Sequence, residues 1–366
     1  GDTEILGADG SLCTIKDLYE RAEKEGVVYS NGQENVVENA HGEIMSVNLE
    51  NLKLEKKPVK YFYRQTYSGD IVTITTKTGR RIRVTPEHPL FVISNGVMKK
   101  HTKNIIKGDY VAIPRKIAIE GTSLIHHELK GFNSINNKDG TLAIQHISKF
   151  HPHTKSISVL NSVSPEIGEW LGYCLSEGSR VPGGINFHNS DTNLINRFAE
   201  LSRKLFGIDP AIKKDTSEGV LKVMCNSKTL IEYLRQAMDY DHKTARINKV
   251  PRSILQAPDD AAASFLRAFF DGEGCVRKDV PEIELTTASK DMANGIVYML
   301  LRFGIVARIR PKNVKNYDHT YWRIFIIGKN NLIAFKKSIG FSIKEKAARL
   351  DTLIEHGKDG TAYDIV

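Results

Sequence analysis

One nonapeptide occurs twice in this chain. Trp170-Leu-Gly-Tyr-Cys-Leu-Ser-Glu-Gly178 returns 96 residues later as Leu266-Arg-Ala-Phe-Phe-Asp-Gly-Glu-Gly274. Leu205-Phe-Gly-Ile208 then matches Arg302-Phe-Gly-Ile305 at an offset of 97, and Cys225-Asn-Ser-Lys-Thr-Leu230 matches Ile327-Gly-Lys-Asn-Asn-Leu332 at 102. Three matches in one order, with a slowly growing offset, mark a tandem duplication, so residues from about 161 to 345 fold as two like units of helices alternating with strands. A single unit would leave one apolar face open to water, and burying both faces together requires a pseudo-symmetric pair. The repeated helix belongs at its centre. Gly172 and Ser176 in one copy, and Ala268 and Gly272 in the other, stand four apart and so share a stripe along which two helix backbones can approach closely.

Each repeated helix ends in Glu-Gly. Gly178 and Gly274 suit the left-handed conformation that commonly stops a helix, which leaves Glu177 and Glu273 at the negative end of the helix dipole. A carboxylate there costs about 0.3–1 kcal/mol, and two brought together by symmetry repel each other further. The arrangement calls for a positive partner. Divalent metal answers it, because carboxylates and the spare carbonyls of a helix C-terminus are hard oxygen ligands of the kind Mg²⁺ accepts. Mg²⁺ completes its shell with water and phosphate oxygens, which leads to phosphodiester hydrolysis on a nucleic acid.

The two nonapeptides resemble the paired LAGLIDADG motifs of homing endonucleases, over about 161 to 345, with repeats at about 165–255 and 260–345. The resemblance implies a pseudo-two-fold αββαββα domain, with the motif helices at the interface and antiparallel strands forming a saddle over the DNA major groove. It implies that Glu177 and Glu273, the acids before the final glycines, are catalytic and hold Mg²⁺ or Mn²⁺, two or more ions being shared between the motif helices. Asp271 fills a second acidic slot in one copy only, Leu175 standing there in the other, and is given no chemistry. Arg246-Ile-Asn-Lys-Val-Pro-Arg252 is similar to the family's lysine-bearing block, which makes Lys249 the third catalytic residue. Asn248 fills the slot three before Pro251 that some members give to lysine, so the register stays open by one residue. The partner implied is double-stranded DNA with a long rare target site, both strands being hydrolysed. A chain carrying both motifs works as a monomer.

Charge agrees with a polyanionic partner. The chain holds 52 Lys plus Arg against 43 Asp plus Glu, a net +9, and from Arg302 to Lys337 nine basic residues meet one acid, Asp318. A one-signed stretch beside strand-like sequence is the footprint of a nucleic-acid binder, although a solvated basic face is the plainer reading of any single run. The candidate DNA contacts are Arg308, Arg310, Lys312, Lys315 and Arg323 after the second motif, and Lys213, Lys214 and Lys222 in the corresponding place after the first.

Residues 1 to about 117 read as mostly β. Gly69 to Gly79, Arg81 to Thr85 and Lys107 to Ile113 alternate β-branched with polar residues between turn signals, and one helix is expected from Ile15 to Glu25, stopped by Gly26. The stretch 118–160 reads as a linker or accessory segment. Its five histidines, His126, His127, His146, His151 and His153, lack a fixed ligand spacing.

This half carries a second resemblance. Gly1-Asp-Thr-Glu-Ile-Leu6, Gly79-Arg-Arg-Ile-Arg-Val-Thr-Pro-Glu-His-Pro-Leu-Phe-Val92 and Ala362-Tyr-Asp-Ile-Val366 are similar to the sequence blocks of inteins. The implied fold class is α+β multidomain: a β-rich Hint horseshoe formed by 1–117 and 346–366, with the endonuclease inserted. His88 would protonate the scissile amide nitrogen, Thr85 would hydrogen-bond the tetrahedral intermediate, and Asp364 would act near the second cleavage point, the exteins of a host protein being the partners. The chain as written starts at Gly1 and stops at Val366, without the upstream Cys or Ser and the terminal His-Asn of that family, so splicing is not expected of it. No segment has the 18 or so uninterrupted apolar residues of a spanning helix, no secretory signal opens the sequence, and Cys13, Cys174, Cys225 and Cys275 lie far apart. The expected setting is cytoplasmic. The other readings are a cleavage-inactive DNA-binding protein of the same fold and an RNA maturase.

Overall fold

The computed structural model describes residues 1–122, 124–125, 129–136, 141–147, 154–216, 219–241, 244–278, 280–315 and 318–356. Ala362–Val366 with Asp364, and His126, His127, His151 and His153, lie outside the described residues. The architecture is α+β and multidomain.

Helix α1 runs Ile15–Glu25, as its pattern predicts, with a capping box between Thr14 and Asp17. The duplicated region follows one plan twice. In the first copy, α2 (Pro165–Glu177) is followed by the strands Gly178–Val181 and Gly184–Asn189, α3 (Thr192–Phe206), the strands Ala211–Lys214 and Leu221–Cys225, and α4 (Lys228–Ala237). The short α5 (Arg252–Leu255) leads to the second copy: α6 (Asp259–Glu273), the strands Gly274–Val276 and Glu282–Thr287, α7 (Lys290–Arg302), the strands Arg308–Asn313 and Thr320–Ile327, and α8 (Lys329–Ser338). A last helix, α9, spans Lys344–His356. Each copy's four strands form one antiparallel sheet in the order first, second, fourth, third.

Helices start where the sequence supplies a cap. The side chains of Ser164, Asp191, Ser227 and Ser289 each accept a backbone N–H at the start of α2, α3, α4 and α7. The core follows from alternation in the strands: Ile185, Phe187, Val223 and Cys225 face inward in the first sheet, and Ile283, Leu285, Ile324 and Ile326 do so in the second. Trp170 stacks on Phe198 at 5.4 Å and donates its indole N–H to buried Ser202 at 2.9 Å, so its one polar atom is satisfied.

The motif helices α2 and α6 pack back to back, and the small-residue stripe sets their spacing. A Cβ on Gly172 would lie 2.5 Å from the Phe265 carbonyl oxygen, and one on Gly272 would lie 2.5 Å from Ser176 Oγ. Gly168 extends the stripe by a turn, since its Cβ would fall 2.3 Å from the Ala261 carbonyl oxygen.

Three expectations need correction. Gly178 and Gly274 are not left-handed: their φ values are −87° and −80°, ordinary extended backbone. Glycine is needed there because the chain passes from helix into strand without a loop, and a Cβ would strike the Cys174 carbonyl oxygen at 2.2 Å or that of Phe270 at 2.5 Å. Within 118–160, the strands Phe132–Asn136, Leu142–His146 and Ile157–Val159 form a sheet whose Ile144, Ile157 and Val159 are buried in the first copy's core, so this stretch is an accessory layer rather than a connector. The boundary drawn at 345/346 cuts through α9, which packs against α8 and buries Leu350 in the same core.

The first 117 residues form short strands in small antiparallel sheets. The hairpin Val72–Thr75/Arg81–Val84 reaches across to the second copy: its Thr78 carbonyl accepts from Ile309 N–H at 2.7 Å. Ile117, Leu301 and Val306 bury together where the two regions meet. Among the described residues no helix is long and apolar enough to cross a membrane.

Candidate active site

The two motif helices end side by side. A Cβ on Gly272 would stand 3.1 Å from Glu177 Cγ, so the Glu177 side chain lies over the turn that carries Glu273. Burial raises the Glu273 carboxyl to about 7, the nearby Glu177 charge pushes it the same way, and Lys346 opposes them. Glu273 as a whole residue is nevertheless exposed, so solvent screens the repulsion and keeps its cost to folding small. Glu177 is half-buried and also raised, mainly by burial, with Lys346 as the main opposing charge.

The positive partner that the helix ends demand is Lys346, on α9. Its Nζ donates to the Asp271 carbonyl at 2.5 Å and to that of Phe270 at 3.3 Å, capping the last turn of α6 with a cation. Burial depresses its own pKa, against the pull of Asp271, Cys275, Glu177 and Glu273. Buried Asp271 positions it by accepting Ser342 N–H at 3.0 Å and Ile343 N–H at 3.4 Å, fixing the turn into α9.

Lys249 is elsewhere. Its Nζ pairs with Asp239 at 2.8 Å on an exposed surface, and it is not among the charges acting on either glutamate. Asn248 is buried and its carbonyl accepts from Ser289 Oγ at 2.5 Å. Lys346 was missed by motif reading although the signal was present: it follows Lys249 by 97 residues, the offset of the duplication itself.

Can these residues hold a metal? Among the described residues no group of three or more His, Cys, Asp and Glu forms a ligand cluster, and Lys346 has taken two α6 carbonyls that the sequence left for a metal. Two neighbouring carboxyls remain, both raised mainly by burial. That set fits a hard cation of the Mg²⁺ type, which takes one or two carboxylates and fills its shell with water and substrate phosphate.

The solvent-facing side of the sheets flanks these acids. Lys213 pairs with Lys222 and Lys222 with His188; in the second sheet Arg310 pairs with Arg323 and Arg323 with Thr286. Lys213, Arg310, Lys312 and Lys315 are exposed, and Arg308 and Lys222 are half-buried. Lys214, next to Lys213, points to the opposite face of its strand. Arg323 is held by Glu284 through two bonds of 2.6 and 2.7 Å and lies over Phe325, so its guanidinium already has a full partner.

In the N-terminal region Thr85 and His88 close a turn, His88 N–H donating to the Thr85 carbonyl at 3.0 Å. The His88 carbonyl accepts Thr102 Oγ1 at 2.5 Å, and Asp2 pairs with Arg83 at 3.2 Å, bringing the first residues beside this turn. Asp364 lies outside the described residues.

Two like copies of helices and four-stranded antiparallel sheets define the class, and residues 260–340 match the family described as LAGLIDADG-like domain. The chain is 31% identical over 362 residues to the replication factor C small subunit of Methanocaldococcus jannaschii, covering 97% of this chain and 16% of that protein. It is 29% identical over 370 residues to the probable translation initiation factor IF-2 of the same organism, covering 89% of this chain and 30% of that protein. The chain thus spans less than a third of either relative's length. Among solved structures, the PabCDC21-1 intein is 26% identical with a TM-score of 0.28, over 34% of this chain and 70% of that one. I-DmoI in complex with DNA and Mn is 15% identical with a TM-score of 0.37, over 48% of this chain and 97% of that one. The matched domain is consistent with an intein that carries a LAGLIDADG endonuclease, as the sequence motifs imply.

The site makes one prediction about pH. A carboxyl raised to about 7 is protonated below that value and ionised above it, so the apparent affinity for Mg²⁺ should rise about tenfold per unit from about pH 6 to 7 and level off above. Calorimetric titration of the protein alone measures it; an affinity flat across this range contradicts the assignment, and Glu273→Gln should be both weak and flat.

Proposed function

We propose that this chain is an intein-borne, site-specific endonuclease that hydrolyses both strands of duplex DNA. The observation that carries the reading is the convergence of Glu177 and Glu273 at one end of two closely packed helices, between sheets whose outer faces present Lys213, Lys222, Arg308, Arg310 and Lys312. Glu177 and Glu273 would hold divalent cations, Mg²⁺ or Mn²⁺, whose chemistry there is to acidify water and neutralise phosphate charge. Lys346 offsets the negative end of α6 and would help to support the charge that builds on the phosphate. The basic strands bind the DNA backbone and orient the scissile bonds.

The recurrence of one segment inside differently named proteins, of which it occupies 16% and 30%, supports its reading as an insertion. Residues 1–117 would then form the splicing domain, with Thr85 and His88 serving the upstream cleavage, while 161–356 form the nuclease together with the accessory sheet. Incubation with a library of long random duplexes and Mg²⁺ tests the proposal. Cleavage at a rare recoverable site is the expected result; retention of DNA without cutting would make the chain a binding protein instead.

A further inference from the structure

The two halves of the site are not equivalent. In the first sheet Gly178, the residue after Glu177, pairs with Phe187, the residue before His188, and Ser179 pairs with Asn186. In the second sheet Gly274, the residue after Glu273, pairs with Leu285, the residue before Thr286. The rows continue in parallel, His188 to Lys222 to Lys213 in one copy and Thr286 to Arg323 to Arg310 in the other. Two residues beyond Lys213 comes Asp215, and two beyond Arg310 comes Lys312. An acid in one copy therefore answers to a base in the other.

The acid is used. His188 Nδ1 and Asp215 Oδ2 lie 2.5 Å apart, and among the described residues Nε2 is left with a long 3.5 Å contact to Ser179 Oγ, on the strand that begins directly after Glu177. His188 is about one-third exposed, on the face of its strand opposite buried Phe187. A carboxylate on Nδ1–H fixes the tautomer in which Nε2 carries the lone pair, the arrangement by which a histidine takes a proton. Thr286 offers a hydroxyl that is no proton acceptor at neutral pH.

We propose that His188 is the proton acceptor for hydrolysis at the first-copy half-site, that Asp215 is its positioning residue, and that the second half-site works without such a group. This rests on the endonuclease reading. In the step, a water oxygen bonds to phosphorus while its proton passes to His188 Nε2. The bond from phosphorus to the bridging oxygen breaks, and that oxygen takes a proton from solvent, leaving a phosphomonoester end and a hydroxyl end. The two strands are then cut by different machinery, and removing His188 converts the enzyme into a nickase.

The test uses the full chain, Mg²⁺ and a duplex carrying a site recovered from the wild-type protein's own library digestion, each strand labelled separately. His188→Ala should slow one strand by about 10² and leave the other within about threefold. His188→Gln, which keeps a hydrogen bond to Asp215 but accepts no proton, should show the same one-strand defect, with DNA retention at wild-type affinity proving the fold. Asp215→Asn should slow the same strand less. Rescue by Gln, equal slowing of both strands, or no slowing overturns the assignment. A wild-type chain that cuts neither strand overturns the endonuclease reading itself, and this inference with it.

Discussion

Glu273→Gln should bind recovered target DNA within about tenfold of the wild type and cut it at least about 10³ times more slowly, with Glu177→Gln behaving alike. Glutamine preserves the length and shape of the arm, so the helix packing around Gly272 is untouched. What disappears is a negative ligand, and phosphate contacts made by the basic strands remain. Stability should move the other way. The Glu273 carboxyl is raised from 4.5 to about 7, which means the folded chain keeps its proton where the unfolded chain has lost it. Such a group lowers stability progressively as pH rises from about 4.5 to about 7, and the deficit persists above. A neutral amide removes it, so with chelator at about pH 8 the melting temperature of Glu273→Gln should equal or exceed that of the wild type. Undiminished cleavage would refute the catalytic assignment; a marked fall in melting temperature would mean that Gln disturbs the interface rather than the chemistry.

The duplication and its helix stripe were legible because they rest on local, repeated constraints. Backbone approach demands small residues four apart whatever surrounds them, and Gly172 and Gly272 are where the stripe predicts. The identity of the nearby cation was not legible. A run containing lysine before proline pointed to Lys249, yet whether a lysine reaches the site depends on the turn into α9, which Asp271 holds from 71 residues away in sequence. Gly178 and Gly274 suit a left-handed helix terminus by sequence but are not left-handed, because sequence shows that a Cβ is absent but not which clash it avoids: here the obstacle is a helix carbonyl. The accessory sheet escaped because Asn- and Gly-rich turns mask strands as short as Ile157–Val159, whose burial is supplied by the first copy's core. His188 escaped for a similar reason. Its partner Asp215 lies 27 residues on, and only strand register brings them together.

The helix interface carries the second large effect. On propensity alone Gly172→Ala should stabilise α2 by about 1 kcal/mol. The structure reverses that sign. The new methyl would stand 2.5 Å from the Phe265 carbonyl oxygen and 2.7 Å from Ala268 Cβ, with Phe269 N 3.2 Å away. These neighbours are backbone or Cβ atoms of the facing helix, so no side-chain rotation clears the space, and the helices must separate along the whole buried stripe. Gly172→Ala should therefore destabilise the chain by about 1–3 kcal/mol, and Gly172→Leu, with a larger branched side chain, by more. Gly183→Ala is the control, since nothing lies within 4 Å of the Cβ it would add. Because Glu177 lies over the turn that carries Glu273, a separation of a few tenths of an ångström at Gly172 also loosens the carboxylate pair, and positional errors of that kind degrade catalysis before they unfold a protein. Thermal denaturation followed by circular dichroism should place Gly172→Ala below the wild type and Gly183→Ala level with it. A Gly172→Ala protein melting at or above the wild type would mean that the two motif helices do not meet at this distance.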